Sequence, residues 1–352
     1  MTKGRSMPGA ASGGAADDKR TVTIAAIARL AGVSVPTVSR VLNGRADVSP
    51  HTRKRVEDLL SQHGYRRRPP SMRANSGLVD LVFNDIDSPW AVEIIRGVED
   101  VAHASGVGTV VSAIHRRTSS AKQWLDNIRT RSTEGVIFVT STLEPPLQSE
   151  LRRLNIPVVI VDPAGVPPQE APTIGATNWV GSLHATEYLI GLGHRRIGFI
   201  GGPPHLMCSR ARLDGYRAAL ESAGVPVDDT LIRPGNFYHE AGFAGGTELL
   251  ALADPPTAIF ASSDQMALGV YEAVRQQKLR VPDDISVVGF DDLPEVRWCS
   301  PPLTTVRQPL AEMGLLAART VLRLARGEQI ESPRIELATE LIVRDSAVAP
   351  AA

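Results

Sequence analysis

Six short apolar runs recur along one stretch of chain: LVDLVF (78–83), GVIFVT (135–140), PVVIVD (157–162), RIGFIGG (196–202), TAIFAS (257–262) and ISVVGF (285–290). They are nearly continuous rather than alternating, so each reads as a strand covered on both faces, as in a parallel sheet. Helix-like stretches at 90–105, 120–131, 178–191, 209–223, 240–252 and 264–277 fall between them. Parallel neighbours need such crossovers, so the rhythm predicts βαβ units and an α/β fold of doubly wound sheets. The strands are too many for one ordinary sheet, and two lobes are expected. IGFIGGPP (197–204) lacks the third glycine and the later acidic partner of a dinucleotide loop, which argues against a nucleotide cofactor.

Open parallel sheets bind ligands beyond the carboxyl ends of their strands. Those ends carry Asp85, the stretch Asp87-Ser88-Pro89-Trp90, Asp162, residues 201–212, Ser262-Ser263-Asp264 and Asp291-Asp292. Carboxylates accept hydrogen bonds from vicinal hydroxyls, arginine donates to them, and an aromatic ring covers the C–H face of a pyranose. The set fits a polyhydroxylated ligand held between lobes. Taken alone, Asp264 reads instead as the N-cap of a helix over 265–277, and His194, where a helix hands over to a strand, reads as structural.

The 77 residues ahead of this body differ in charge: they hold 14 Lys and Arg against 5 Asp and Glu, whereas the rest holds 24 against 33. A basic head on an acidic body suggests that only the head meets a polyanion. Residues 1–20 are rich in Gly, Ala and Ser without an apolar core, which predicts a disordered tail and no signal peptide. No run of about 18 apolar residues occurs, and the two cysteines, Cys208 and Cys299, have no metal-ligand spacing; the expectation is a cytoplasmic protein with idle thiols, no metal and no cofactor.

Within the head, Ile24, Ile27, Ala28 and Ala31 share one helical face, Gly32 sits where a left-handed residue would end that helix, and Ser34 can cap the next. Pro36 is tolerable in a first turn, Val38, Val41 and Leu42 form the buried side, and Ser49-Pro50 opens a third helix with Val56, Leu59 and Leu60 inside. Two short helices joined by a tight glycine turn, with a third as support, make a helix-turn-helix. Its second helix would enter a DNA major groove. Arg40 would fork onto a guanine, Val35 and Pro36 would touch a thymine methyl, and Ser34, Thr37, Ser39 and Asn43 suit phosphates.

TIAAIARLAGVSVPTVSRVLNGRADVSPHTRKRVEDLLSQHGY (23–65) resembles the DNA-binding domain of the lactose-repressor (LacI) family. DSPWAVEIIRGVE, GHRRIGFIGG, SRARLDGY, SSDQMALGVYEA and VVGFDD…PPLTTVRQP extend the resemblance to about residue 345. It implies a type I periplasmic-binding-protein-like core, a homodimer on operator DNA, and a transcriptional repressor released by a sugar or oligosaccharide, for which a xylo- or cello-oligomer is the lean. A corepressor response to a purine-like metabolite is the alternative. Carried over residue by residue, Val35, Pro36 and Arg40 read bases, and Asp162, Arg210, Phe237, Asp291 and Gln308 contact the effector, with Asp87, Pro89 and Trp90 at the cleft. Ser263 stands where sugar-binding relatives often have Asn, which gives up an amide contact. The implied domains are a tail (1–20), the head (21–65), a linker (66–77), an effector domain (78–346) and a tail (347–352). Lobe 1 would hold about 78–175 and 307–336, and lobe 2 about 176–306 and 337–346. The linker RRRPPSMRANSG departs from the family's hinge helix: it is short and carries Pro69-Pro70. Either Met72 wedges into the minor groove, or binding relies on the charge of Arg66, Arg67, Arg68 and Arg73. No G-x-S-x-G elbow, Walker loop or H-E-x-x-H appears, so no enzyme is expected.

Overall fold

The computed structural model describes residues 24–42, 48–62, 77–114, 118–140, 145–167 and 171–351. The N-terminal tail, Asn43 and the linker residues Arg66, Arg67, Arg68, Met72 and Arg73 lie outside the described residues. The chain divides into two compact units, 1–74 and 75–352.

In the first unit, α1 (Ile24–Ala31), α2 (Val35–Leu42) and α3 (Pro50–Gln62) enclose a small core of Ile27, Ala28, Ala31, Val38, Val41, Val48 and Val56. Helix α1 ends in a Schellman turn. Gly32, at φ +64°, donates to the Arg29 carbonyl (3.2 Å), and the Val33 N–H donates to the Ala28 carbonyl (3.0 Å). Glycine takes this left-handed backbone without a Cβ penalty. Helices α1 and α2 are bent through 100° at that turn, the angle of a helix-turn-helix. Ser34 and Ser49 cap α2 and α3 by accepting from the Thr37 and Thr52 N–H groups at 3.3 and 3.2 Å.

The second unit holds two six-stranded sheets. Lobe 1 runs β1 (Leu78–Phe83), α4 (Pro89–Ala104), β2 (Gly108–Ala113), α5 (Thr118–Arg131), β3 (Gly135–Val139), α6 (Pro145–Arg153), β4 (Val158–Val161) and β5 (Thr173–Ala176). Lobe 2 follows with α7 (Asn178–Gly191), β6 (Ile197–Ile200), α8 (Met207–Ser222), β7 (Ile232–Arg233), α9 (His239–Leu250), β8 (Ala258–Ala261), α10 (Asp264–Gln276), β9 (Ser286–Asp291) and β10 (Thr304–Arg307). The chain then returns to lobe 1 as α11 (Leu310–Ala325) and β11 (Arg334–Leu337), and ends in lobe 2 with β12 (Glu340–Ile342). The sheet orders are β11-β5-β4-β3-β1-β2 and β12-β10-β9-β8-β6-β7, parallel throughout except for β12. Three segments therefore pass between lobes, at 177, 308–309 and 338–339.

The six expected strands are β1, β3, β4, β6, β8 and β9, and both faces of each sheet are covered. On β8, Ala258 and Phe260 join the core under α7 and α8, while Ile259 and Ala261 join the one under α9 and α10. Strand β1 divides in the same way: Val79, Leu81 and Phe83 pack with α4 and α11, and Val82 packs with Trp124 and Phe138. Among the described residues no single helix is long and apolar enough to cross a membrane.

The chain does not trail off at 347. Ala347 is buried in the lobe 2 core, and Val348 exchanges hydrogen bonds with the Ser286 hydroxyl (both 3.0 Å). The buried His194 ring fastens this segment: its Nε2 donates to the Val348 carbonyl (2.9 Å), which leaves Nδ1 to accept from the Thr257 hydroxyl (2.8 Å). Burial pulls the His194 pKa below its ordinary 6.5. The fold thus favours neutral imidazole, and this stabilisation is complete above the unfolded value and lost as pH falls through the depressed folded one. His194→Gln should therefore be less stable than the wild type at neutral pH, with the difference in Tm shrinking as pH falls below about 6.5. A pH-independent difference in calorimetry would contradict the clamp.

Candidate functional site

The outer face of α2 presents Val35, Pro36 and Arg40, all exposed, while Val38 and Val41 turn inward. Val35 is 46% exposed although apolar. Ser34 is exposed, Thr37 and Ser39 are half-buried, and the Ser34 and Thr37 hydroxyls lie 2.9 Å apart. These residues run from the cap of α2 into its last turn, where Arg40 sits.

In the second unit a cavity of about 140 Å³ opens at the carboxyl ends of both sheets' strands, roughly ten times what one water needs. Phe83, Val139 and Asp162 line it from the ends of β1, β3 and β4, and Pro203, Ser263 and Asp291 from those of β6, β8 and β9. Backbone strain concentrates there. Of the eight described non-glycine residues at positive φ, Thr140 (+45°), Asp162 (+47°), Phe237 (+74°) and Asp291 (+122°) line this cavity. Such conformations cost on the order of 1–3 kcal/mol each and gather at functional sites.

Arg212 is the cavity's cation, fixed from every side. Its Nε donates to Asn178 Oδ1 (2.8 Å) and its Nη1 to the Ser262 carbonyl (2.5 Å), with Asp291 Oδ1 3.7 Å away. The guanidinium lies over two rings, 3.8 Å from the Phe290 centroid and 5.3 Å from that of Phe237. Phe237 itself is held from two directions. The Ser263 hydroxyl donates to its carbonyl (2.9 Å), and its ring sits so close to Gly202 that a Cβ there would lie 2.1 Å from it.

The carboxylates are less satisfied. Burial raises the Asp162 pKa, opposed by Arg212 and by the Cys208 thiol that donates to it. Burial likewise pushes Asp291 up to about 6, against Arg212 and the Gln308 amide. Burial beside Asp162 pushes the Cys208 thiol up in turn, so it is a poor nucleophile. Across the mouth, Ser88 Oγ donates to Gln265 Oε1 and the Tyr238 hydroxyl to Asp87 Oδ1, each at 3.1 Å, and the Met207 N–H reaches the Ala164 carbonyl at 3.1 Å.

Trp90, Asp162, Phe237, Ser263 and Asp291 thus meet at one cavity, as does Asp85. Four expected effector residues do not line it. Asp87 is exposed at the rim, and Pro89 opens α4. Gln308 is buried behind Asp291, donating to its Oδ1 at 2.6 Å. Arg210 is exposed on the far side of α8, and the arginine at the cavity is Arg212. Helical phase explains the correction: Cys208, Arg212, Gly215, Tyr216 and Ala219 form the buried face, and position 210 points away from it. Asp264 is not the cap of α10, because Ser263 is: the Ser263 hydroxyl accepts from the Met266 N–H (3.2 Å). Asp264 instead ties β10 to the loop after β9, accepting from the Thr305 hydroxyl (2.5 Å) and the Leu293 N–H (2.7 Å). Asp292 turns from the cavity to pair with Arg307 (2.8 Å), Arg344 (2.5 Å) and Arg297 (3.4 Å). The strand-end rule did not reach Asn236, Tyr238 and Gln265, which sit on a loop and a helix.

A helix-turn-helix head carried by a two-lobed α/β domain with a cleft between its sheets defines an effector-responsive DNA-binding regulator. The comparisons agree: residues 23–68 match the bacterial regulatory proteins of the lacI family, and residues 186–347 a periplasmic binding protein-like domain. The chain belongs to the lacI family. It is 36% identical over 327 residues to the HTH-type transcriptional repressor CytR of Escherichia coli K12, covering 92% of this chain and 96% of that one. It is 34% identical over 337 residues to the HTH-type transcriptional regulator CelR of Thermobifida fusca, covering 93% and 99%. Among solved structures it resembles a transcriptional regulator CelR–cellobiose complex (TM-score 0.71, 34% identity, 92% and 99% covered). It also resembles the lac repressor dimer bound to operator and the anti-inducer ONPF (TM-score 0.69, 27% identity, 94% and 100% covered).

Proposed function

We propose that this chain is a homodimeric, cytoplasmic repressor of carbohydrate-utilisation genes, released from its operator when a sugar or short oligosaccharide enters the interlobe cleft. The grouping of Asp162, Asp291 and Arg212 with the aromatic side chains of Trp90 and Phe237 at one cavity carries the reading. Cellobiose in the related CelR complex supports a sugar. In this reading residues 21–65 read DNA through Val35, Pro36 and Arg40, and 66–77 form the hinge. One head meets too few base pairs for tight specific binding, so a dimer spans two half-sites. The exposed Val92 on α4 and Trp298 (80% exposed) suit the dimer surface. The protein performs no chemical step; it converts ligand occupancy into DNA affinity, and operator must weaken sugar by the factor by which sugar weakens operator, a coupling of about 1–3 kcal/mol. Labelled DNA from the protein's own promoter, followed by anisotropy with the full-length protein, should be released by cellobiose or xylobiose. A promoter affinity that no sugar in a broad panel alters would overturn the proposal.

A further inference from the structure

We propose that Asp162 and Asp291 make the cleft a charge filter, which admits uncharged polyols and excludes sugars bearing a phosphate or carboxylate. The inference rests on the sugar reading above and adds to it the electrical character of the effector. Among the described residues, the ionisable carboxylates and cations lining the cavity are Asp85, Asp162, Asp291 and Arg212, three acids to one base. The arginine is already engaged: Nε and Nη1 donate to Asn178 and Ser262, Asp291 opposes its charge, and the Phe290 and Phe237 rings lie 3.8 and 5.3 Å away. An incoming anion therefore finds one edge of a compensated guanidinium instead of an open fork. Asp162 is 7% exposed, and the donor it meets from the protein is the thiol of Cys208, a weak one. Asp162 lines the cavity, where a sugar hydroxyl can donate a hydrogen bond to it and an ionised phosphate oxygen cannot. Repulsion between like charges is strong where water is largely displaced.

The test uses the full-length protein and titration calorimetry with matched probes: glucose with glucose 6-phosphate and glucuronate, ribose with ribose 5-phosphate, and cellobiose with cellobionate. In each set that binds, the neutral member should bind at least about tenfold more tightly, and Asp162→Asn should narrow the gap by about that factor. Asparagine keeps the side chain's size and tolerates the left-handed backbone at this position. Asp291→Asn provides a second reading, and Arg210→Ala, outside the cavity, should leave the gap unchanged. An anionic sugar that matches its neutral parent on the wild type would overturn the filter and leave the sugar reading standing. So would a gap that survives both substitutions in proteins that still melt cooperatively. If adenosine binds and no sugar does, the sugar reading falls, and adenosine against adenosine 5′-monophosphate then decides the filter by the same criterion.

Discussion

Arg40→Ala is expected to remove most of the protein's preference for its own promoter over random DNA of equal length. Arg40 is exposed near the end of α2, on the face shared with Val35 and Pro36. A guanidinium fork on one guanine discriminates by about 1–3 kcal/mol, roughly 5- to 150-fold for each half-site, and a dimer counts it twice. The core of the head does not involve this side chain, so helicity and melting should change little. Affinity for random DNA should drop only by the loss of one positive charge, with a slightly shallower salt dependence. Anisotropy on both DNAs at one salt concentration separates the effects. A preference that survives intact would mean that α2 does not read bases through Arg40.

Arg212→Ala should be worse for the protein than any surface change. It leaves Asp291 and Asp162 buried without their cation and removes the group over which the Phe290 and Phe237 rings pack. Breaking a buried pair from one side costs about 3–5 kcal/mol. Calorimetry should show a much lower Tm, and promoter release by sugar should vanish. Arg212→Lys keeps the charge but not the planar fork, so it should fold and still respond poorly. Arg210→Ala, one half-turn away on the same helix, should stay within about 0.5 kcal/mol of the wild type and respond normally. Equal effects from 210 and 212 would refute the placement of α8.

Nearly the whole frame was legible in periodicity. The six most apolar strands are central or next to the centre of their sheets, and burial on both faces wrote them into the sequence as unbroken runs. Strands that carry less of the core left weaker traces. β2, an edge strand with four residues partly buried and two exposed, and β11 and β12, in which no residue is fully buried, do not stand out as apolar runs. Helix α11 was legible and passed over: Leu310, Met313, Ala317, Val321 and their neighbours follow helical spacing. The cleft was half legible. Strand ends located Asp162, Asp291 and Ser263, because a βαβ layout fixes where strands stop. Family likeness chose the wrong arginine of two, although the phase of α8 contained the answer. Residues whose place depends on tertiary approach, such as Tyr238 opposite Asp87, have no local signature.

Gln308 lies on the passage from β10 in one lobe to α11 in the other, and its amide holds the carboxylate of Asp291 at 2.6 Å. Under the function proposed above, the carboxylate that would hold the sugar is thereby bolted to a pivot, and ligand tension would reach that pivot through one side chain. Substitutions at this glutamine should retune the gain of the sensor while leaving its menu of sugars alone. Dose–response curves for promoter release would then change in amplitude while the order of preferred sugars stays the same.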